Sequence, residues 1–486
     1  MLRQLIVASS IASSLIVSPA RATGSSSEDS DARIKSLEEK VARLEALLSA
    51  QTPSAPPMPR QAIGGGGGEE RPVPAPQFAI DRDRAPSLPS KGPLGDAVSP
   101  TRVSIANRDV TAASTGNTAS LAPEGFRVGS TIIKIGGYVK LDMDYSRYSG
   151  GNPDTTQFIR QFLLPNNIPV GGRGSDEVTL SARQTRLWVT TASAVGGHDV
   201  ASRIEVDFQA FPTTADQRNA NPATLALRRA YVTVDNWEFG QDWTNFLDPA
   251  TFPESADYIG PEAAAVLARQ PQVRYKYGNL YVSLENPETT LSPLGGGTRL
   301  VTGDSHLPDA IVRYDVAQRG GGLLSIAGMV RQLRSDTELV KDTALAWGVS
   351  VAGKLAVGSK DDVRFEINGG KGIGRYIGSN FVNDGQVDEM GRIQPVAVLA
   401  SFASYRHFWS ASLRSSVMYA FQRGWNHDRL TGPDENKFTD DAHINLVWSP
   451  LPNVDVGGEY IRARRKTQGG ETGIVDRFAT FARYGF

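Results

Sequence analysis

The stretch from Thr131 to Tyr145 alternates apolar and polar residues with a period of two. Ile135, Val139 and Leu141 fall on one face, whereas Lys140 falls with two aspartates on the other. Successive side chains of a strand point to opposite faces, so this strand has an apolar face and a charged face. The run is longer than the ~5–6 residues of a usual globular strand. It predicts a transmembrane strand with one face toward lipid and the other toward a water-filled lumen.

Similar runs recur from about residue 125 to the end of the chain, and the connections between them alternate in length. Tight links such as Asp235-Asn236 alternate with long ones such as residues 242–270. Two segments, residues 225–234 and 396–404, do not alternate cleanly. Counting the runs predicts about sixteen strands, and transmembrane barrels have an even number. The predicted fold is all-β, an antiparallel transmembrane β-barrel over residues 124–486.

The first 22 residues have the pattern of a secretory signal peptide. Arg3 gives the positive start, Leu5 to Val17 is apolar with small residues, and Ala20-Arg21-Ala22 is an A-x-A cleavage site. The alternative is a short membrane anchor, which the length and the cleavage site disfavour. We therefore expect residues 1–22 to direct export.

Residues 23–50 are predicted to contain a short coiled coil, because apolar residues alternate there by three and four. The alternative is a single amphipathic helix on a surface, but the apolar stripe is narrow and its flanks are charged. The pattern from Arg33 to Glu38 is also typical of trimeric coiled coils. The trimerisation positions are Ile34, Leu37, Val41, Leu44 and Leu48.

Residues 51–123 are rich in Pro, Gly, Ser and Ala, and include the glycine run Gly64 to Gly68. Such a composition cannot bury a core, so we predict a flexible linker between the coiled coil and the barrel.

The overall composition excludes several classes of protein. The chain has 486 residues, no Cys and a formal net charge of −1. The absence of Cys excludes disulfides, thiolate metal sites and Cys nucleophiles. Near-neutral charge gives no support for nucleic-acid binding. No G-x-S-x-G or H-E-x-x-H motif surrounds the five histidines, so we expect neither an enzyme nor a cofactor or metal site.

The last strand ends on Phe486, with Tyr484 and Phe478 on the same face. This ending is typical of bacterial outer-membrane barrels. Together with the signal peptide, it predicts a location in the outer membrane of a Gram-negative cell, with the coiled coil in the periplasm.

Several stretches resemble the DcaP-type trimeric outer-membrane porins. They are GYVKLDMDYS at Gly137 to Ser146, ARQTRLWV at Ala182 to Val189, LRRAYV at Leu227 to Val232, FGQDWTNFLDPATFPE at Phe239 to Glu254 and ARQPQVRYKY at Ala268 to Tyr277. The resemblance implies sixteen-stranded homotrimers in outer-membrane lipid. It also implies passage of small, mostly anionic solutes such as dicarboxylates.

A channel of this kind selects by the width and the charge of its constriction. The third long connection, residues 242–270, is predicted to fold into the lumen because Phe246, Leu247 and Phe252 are costly to leave in water. The alternative is an exposed loop with ordinary charges. The candidate pore-lining and constriction residues are Lys140, Arg186, Arg203, Arg228, Arg274, Lys276, Glu254 and Asp257.

The strand pattern also points Arg313 and Arg364 toward the lumen. Arginine suits carboxylates because its planar fork can bind them with two hydrogen bonds. Lumen acids act in the opposite direction, so the sign of ion selectivity stays open at this point. These acids are Asp142, Asp144, Glu205 and Asp207.

A second hypothesis is an envelope tether, in which the coil and linker reach across the periplasm and a plugged or non-selective barrel is the anchor. An open, ion-conducting lumen would distinguish a porin from such a tether. A phosphate-selective porin is a third possibility, and it would need a denser ladder of Lys and Arg.

Overall fold

The structure is a computed structural model that describes residues 125–154, 158–210, 221–318 and 321–486. These residues form an all-β fold with a few short 3-10 turns. No helix within these four ranges is long and apolar enough to cross a membrane. The predicted signal peptide, the linker and the coiled coil with Ile34, Leu37, Val41, Leu44 and Leu48 lie outside the described residues.

The described part of the chain forms one closed ring of sixteen antiparallel strands. The main sheet has 18 strand segments, of which Phe126–Val128 lies beside the ring and two belong to one interrupted strand. The strands are β1 (Thr131–Tyr148), β2 (Ser175–Ser181 and Arg186–Val195), β3 (His198–Asp207), β4 (Ala226–Val234), β5 (Trp237–Trp243), β6 (Arg269–Tyr277), β7 (Leu280–Glu285), β8 (Asp309–Gln318), β9 (Gly322–Asp336), β10 (Lys341–Val357), β11 (Asp361–Lys371), β12 (Ala397–Phe408), β13 (Leu413–Trp425), β14 (Asn436–Leu451), β15 (Val454–Thr467) and β16 (Thr472–Gly485).

The ring closes between its first and last strands. β1 pairs with β16 in register from Tyr138 opposite Gly485 to Tyr148 opposite Val475. The backbone of Phe486 continues the ladder, donating to Gly137 O at 3.0 Å and accepting from Gly137 N at 3.2 Å. A closed barrel leaves no sheet edge with unpaired backbone groups, which is what a membrane requires of β structure.

The outer surface carries the apolar face that the sequence predicts. Ile135 is 62% exposed and Trp448 is 53% exposed, whereas Gly136 and Val447, which follow and precede them on the other face, are buried. Trp237 and Tyr277 also point outward near strand ends, as expected for aromatic girdles at the two interfaces. The polar face of each strand therefore points into the barrel.

The structure differs from the predicted strands at several points. β1 continues to Tyr148, and β2 is interrupted between Ser181 and Arg186. The unclear pattern of β4 arises from a β-bulge at its own residue Arg228, opposite the step from Glu205 to Val206 in β3. In β12 both faces are apolar because its inward residues, among them Phe402, pack against loops inside the barrel.

Three long loops fill much of the barrel interior: loop 1 (residues 149–154 and 158–174), loop 3 (residues 244–268) and loop 6 (residues 372–396). The main hydrophobic core joins Phe246 of loop 3, Tyr376 and Phe381 of loop 6 and Phe402 of β12. A second cluster packs loop 1 against β15 and β16. The lumen is therefore divided by a packed interior instead of being an empty cylinder.

Loop 6 is also tied to the loop between β7 and β8 by a small four-stranded sheet. Its strands run in the order Leu300–Thr302, Thr289–Ser292, Gly385–Val387 and Ile393–Pro395. Below it, the fully buried Arg331 lies 3.1 Å from Asp309 and 3.0 Å from Asp384. These ion pairs fasten loop 6 to the β8 and β9 wall.

Candidate functional site

Loop 3 folds into the barrel, which confirms the inward fold predicted from its apolar residues. Its backbone bonds to side chains of the wall: Ala256 N donates to Glu459 at 2.6 Å, and Ala263 N donates to Asp441 at 2.7 Å. Lys140 donates to Ala256 O at 2.7 Å from β1. The loop is thus fastened to one region of the wall, formed by the neighbouring strands β14, β15, β16 and β1.

Glu254 is one of these fastenings. Its carboxylate is held by Arg414 of β13 with two hydrogen bonds of 2.6 and 2.7 Å, and Arg406 lies 3.7 Å away. Burial opposes ionisation of Glu254, but the hydrogen bonds and charges of these arginines outweigh burial and lower its pKa to about 2. Glu254 is therefore ionised, its charge is balanced by Arg414, and the pair anchors loop 3 to the wall.

Asp257 lies near the middle of loop 3 and is buried, with 7% of its surface exposed. Leu163 N of loop 1 donates to its carboxylate at 3.2 Å, and Arg477 of β16 lies 3.8 Å away. Burial raises the pKa of Asp257 to about 6, although Arg477 and His443 partly counteract it. Its charge therefore changes close to neutral pH.

Beside loop 3 lies a cavity of about 500 Å³, which we call the lumen cavity. Its wall comes from the six strands β1 to β6 and from β16, and loops 1 and 3 also line it. The lining contains six basic residues and two acidic residues. The basic residues are Lys140, Arg186, Arg228, Arg229, Arg269 and Arg483, and the acidic residues are Glu205 and Asp257.

Arg186 and Arg228 are positioned by a shared carboxylate. Asp207 accepts from Arg186 Nη2 at 2.9 Å and from Arg228 Nε at 2.8 Å. Tyr258 of loop 3 donates to the same carboxylate at 2.7 Å and accepts from Arg186 Nη2 at 2.9 Å. Both guanidinium groups lie 5.5 Å from the centre of the Tyr258 ring. This cluster of Asp207, Arg186, Arg228 and Tyr258 thus joins the wall to loop 3.

The structure brings together some of the predicted site residues and separates others. Lys140, Arg186, Arg228 and Asp257 line the lumen cavity. Other members of the predicted set point into the barrel but bind neighbouring groups. Arg203 pairs with Glu205, and Glu254 binds Arg414. Arg274 binds Glu238 and Trp243 O, and Lys276 lies over the Tyr281 ring. Arg313 pairs with Asp315, and Arg364 pairs with Asp362.

Arg269 at the start of β6 is a cavity residue that the strand pattern did not nominate. Its guanidinium stacks on the Trp243 ring at 3.5 Å, and its Nε has no hydrogen-bond partner. Among the described residues, no carboxylate lies within ion-pair distance of it. The sequence offered a signal, because Arg269 closes the loop that carries the constriction acids.

The neighbouring residues Arg228 and Arg229 both point into the barrel, which a regular strand does not allow. A β-bulge in β4 places Leu227 opposite Val206 and Arg229 opposite Glu205, so Arg228 between them is the extra residue. Arg229 then binds Asp242. A period-of-two analysis assigns only one of the two arginines to the lumen.

The sequence matches the DcaP outer membrane protein family over residues 111–486. The chain belongs to this family. The crystal structure of the outer membrane channel DcaP of Acinetobacter baumannii is similar, with a TM-score of 0.64 and 26% identity over 75% of this chain and 100% of that one. The family and this structure indicate a channel of the outer membrane, with a porin-like barrel, and not an enzyme.

Two other solved structures are more weakly similar. The anion-selective porin from Comamonas acidovorans has a TM-score of 0.46 and 12% identity over 73% of this chain and 100% of that one. OmpT of Vibrio cholerae has a TM-score of 0.44 and 10% identity over 75% of this chain and 100% of that one. None of the curated proteins compared with the chain matches it.

Proposed function

We propose that this DcaP-family channel lets small anionic solutes diffuse passively through the lumen cavity. The observation that carries the proposal is the charge of the cavity lining, which has six basic residues and two acidic ones. Confined by a low-dielectric wall, such a surplus raises the local concentration of anions. It also disfavours cations at the same place.

The counter-charges around the cavity are placed behind the basic groups. Asp207 is fully buried, and Asp242 is 2% exposed. These carboxylates hold Arg186, Arg228 and Arg229 in place, and the three arginines line the cavity whereas neither carboxylate does. An entering carboxylate would meet rigidly held N–H donors. Because these side chains need not rearrange, the solute can bind and leave quickly.

The family resemblance implies dicarboxylates as one class of solute, and we include them in the proposal. The cavity presents cations from several directions: Lys140 from β1, Arg483 from β16 and Arg269 from β6. A short diacid is small compared with a cavity of about 500 Å³. Its two charges would be attracted by more than one of these groups.

We further propose that the chain acts as a homotrimer. The wall from β3 to β8 consists of strands of 6 to 10 residues, whereas β9 and β10 have 15 and 17. Six residues span only ~20 Å even without tilt, less than the ~25 Å apolar band of an outer-membrane barrel. Neighbouring subunits would cover this low wall, and the predicted coiled coil would add a second contact.

The test is the reversal potential of the purified, detergent-folded protein in a planar bilayer with a KCl gradient. We expect an anion-selective potential, with conductance steps in groups of three. A cation-selective potential would contradict the anionic solute class, but it would still support a channel. The absence of any conductance would contradict the channel and favour the envelope tether.

The oligomeric state has a separate test. Light scattering of the full chain in detergent gives the protein mass of the complex, and we expect three copies. A single copy at every concentration would overturn the homotrimer without affecting the solute class.

A further inference from the structure

The lumen cavity is unusually rich in aromatic rings. Seven of its 25 lining residues are Phe, Tyr or Trp, whereas these residues make up 8% of the whole chain. Four of the seven are only half-buried and present ring surface to the cavity: Tyr138, Trp243, Phe252 and Tyr258. Attraction of hydrated inorganic anions alone would not require so much exposed ring surface, which is costly to keep in water.

The cations of the lining differ in whether they already have a counter-charge. Arg186 and Arg228 share Asp207, Lys140 lies 2.8 Å from Asp142, and Arg483 lies 2.6 Å from Asp455. Arg269 has no such partner among the described residues, and its Nε makes no hydrogen bond. Among the described residues that line the cavity, Arg269 is therefore the one guanidinium whose charge has no carboxylate partner.

The aromatic surface is continuous with this open guanidinium. Arg269 lies on the Trp243 ring at 3.5 Å, and the Phe252 ring follows 6.3 Å from Trp243. Phe252 is in turn stacked on the buried Phe402, which holds it in place. The cavity volume of about 500 Å³ falls in the range of small-molecule sites.

We propose that the lumen cavity contains a binding site for aromatic monocarboxylates such as benzoate. The carboxylate binds Arg269, and the ring of the ligand packs on the aromatic surface of loop 3 and β5. This inference rests on the proposed anion channel and names the solute that the channel holds most strongly.

The arrangement admits aliphatic diacids but holds them less strongly than an aromatic monocarboxylate, for two reasons. A second carboxylate would have to compete with Asp207 or Asp142 for a cation, and it would lose hydration without a matching gain. An aliphatic chain also lacks the aromatic contact, which we expect to strengthen binding about tenfold. One open cation beside several rings therefore matches a solute with one charge and one ring.

The test measures the KCl current through the full-length protein in a planar bilayer. Benzoate, cyclohexanecarboxylate, succinate and acetate are added one at a time, and the block of the current by each is compared. We expect benzoate to halve the current at a concentration roughly tenfold lower than succinate, with cyclohexanecarboxylate in between and acetate weakest. Equal block by benzoate and succinate, or stronger block by succinate, would overturn the proposal. Equal block by benzoate and cyclohexanecarboxylate would overturn the aromatic contact.

Two variants assign the site. Arg269→Gln removes the open charge and should weaken benzoate block roughly tenfold or more. Phe252→Leu keeps an apolar side chain without the ring and should weaken benzoate block while leaving acetate block unchanged. The control Arg423→Gln removes a charge from the exposed outer face of β13 and should change neither. Unaltered benzoate block in Arg269→Gln would overturn the assignment.

The solute ranking of the unmodified protein decides the proposal even if a variant fails to fold. The reversal potential in the same bilayers separates the two levels of inference. A cation-selective potential contradicts the anion channel itself. An anion-selective potential with succinate as the stronger blocker contradicts only the aromatic site.

Discussion

Arg414 holds Glu254 with two parallel hydrogen bonds of 2.6 and 2.7 Å, although 160 residues separate them in the chain. Arg414 belongs to β13 on one side of the barrel, and Glu254 belongs to the loop that enters from β5. Both side chains are buried. The pair therefore ties loop 3 to β13, on the far side of the ring from β5.

We expect Glu254→Gln to destabilise the folded barrel and to loosen loop 3. Breaking a buried ion pair leaves Arg414 without its main counter-charge, which costs about 3 kcal/mol. Thermal unfolding in detergent should occur at a lower temperature, and the open-channel current should become noisier. The control Asp476→Asn removes an exposed carboxylate that pairs with Arg462, and it should cost at most about 1 kcal/mol. If Glu254→Gln and Asp476→Asn changed the unfolding temperature and the current noise equally, Glu254 would not be the anchor of loop 3.

Anion selectivity should increase as the pH falls from 7.5 to 5. Burial raises the pKa of Asp257 from its ordinary value of 3.8 to about 6, so this carboxylate is charged at pH 7.5 and neutral at pH 5. Glu254, with a pKa of about 2, keeps its charge over the whole interval, so loop 3 stays anchored. Reversal potentials at the two pH values check this. Asp257→Asn should abolish the change.

The same ionisation predicts how stability depends on pH. The folded protein binds a proton at Asp257 between pH 6 and pH 4, where the unfolded chain does not. This group therefore favours the folded state more at pH 5 than at pH 7.5. The difference in stability between the unmodified protein and Asp257→Asn should change accordingly, and a difference independent of pH would contradict the raised pKa.

Arg331→Met should release loop 6 from the wall. Arg331 is fully buried between Asp309 and Asp384, so its removal leaves two buried carboxylates without their shared cation. We expect a loss of about 3–5 kcal/mol in unfolding free energy. Arg334→Met is the matched control on the same strand, because its pair with Asp336 is partly exposed and contributes at most about 1 kcal/mol. Protease digestion from the loop side should cut the first variant faster.

Arg269→Gln should lower the preference for chloride over potassium roughly two- to threefold, because one uncompensated charge is lost from the cavity lining. Arg274→Gln removes the same charge five residues along the strand, but Arg274 binds Glu238 and Trp243 O and does not line the cavity. It should have the smaller effect on reversal potential. The reverse order would show that the permeation path follows Arg274 instead.

Much of the wall could be predicted because its pattern is local. The alternation along Thr131 to Tyr145, the tight turn at Asp235-Asn236 and the long links all report on neighbouring residues in sequence. Period, strand number and outward face follow from them. The inward fold of loop 3 was also predictable, since Phe246 and Leu247 cannot stay in water. The same argument, applied to Ile373 and Phe381, would have found loop 6.

The sequence alone determined a sixteen-stranded barrel with a charged interior and an apolar outside, because strand geometry converts a period of two directly into two faces. Only the tertiary structure decided which charges meet. Arg414 reaches Glu254 across the lumen, a bulge turns both Arg228 and Arg229 inward, and Arg269 remains without a carboxylate. Ion pairing depends on distances of a few ångströms between residues far apart in the chain, and no local pattern encodes those distances.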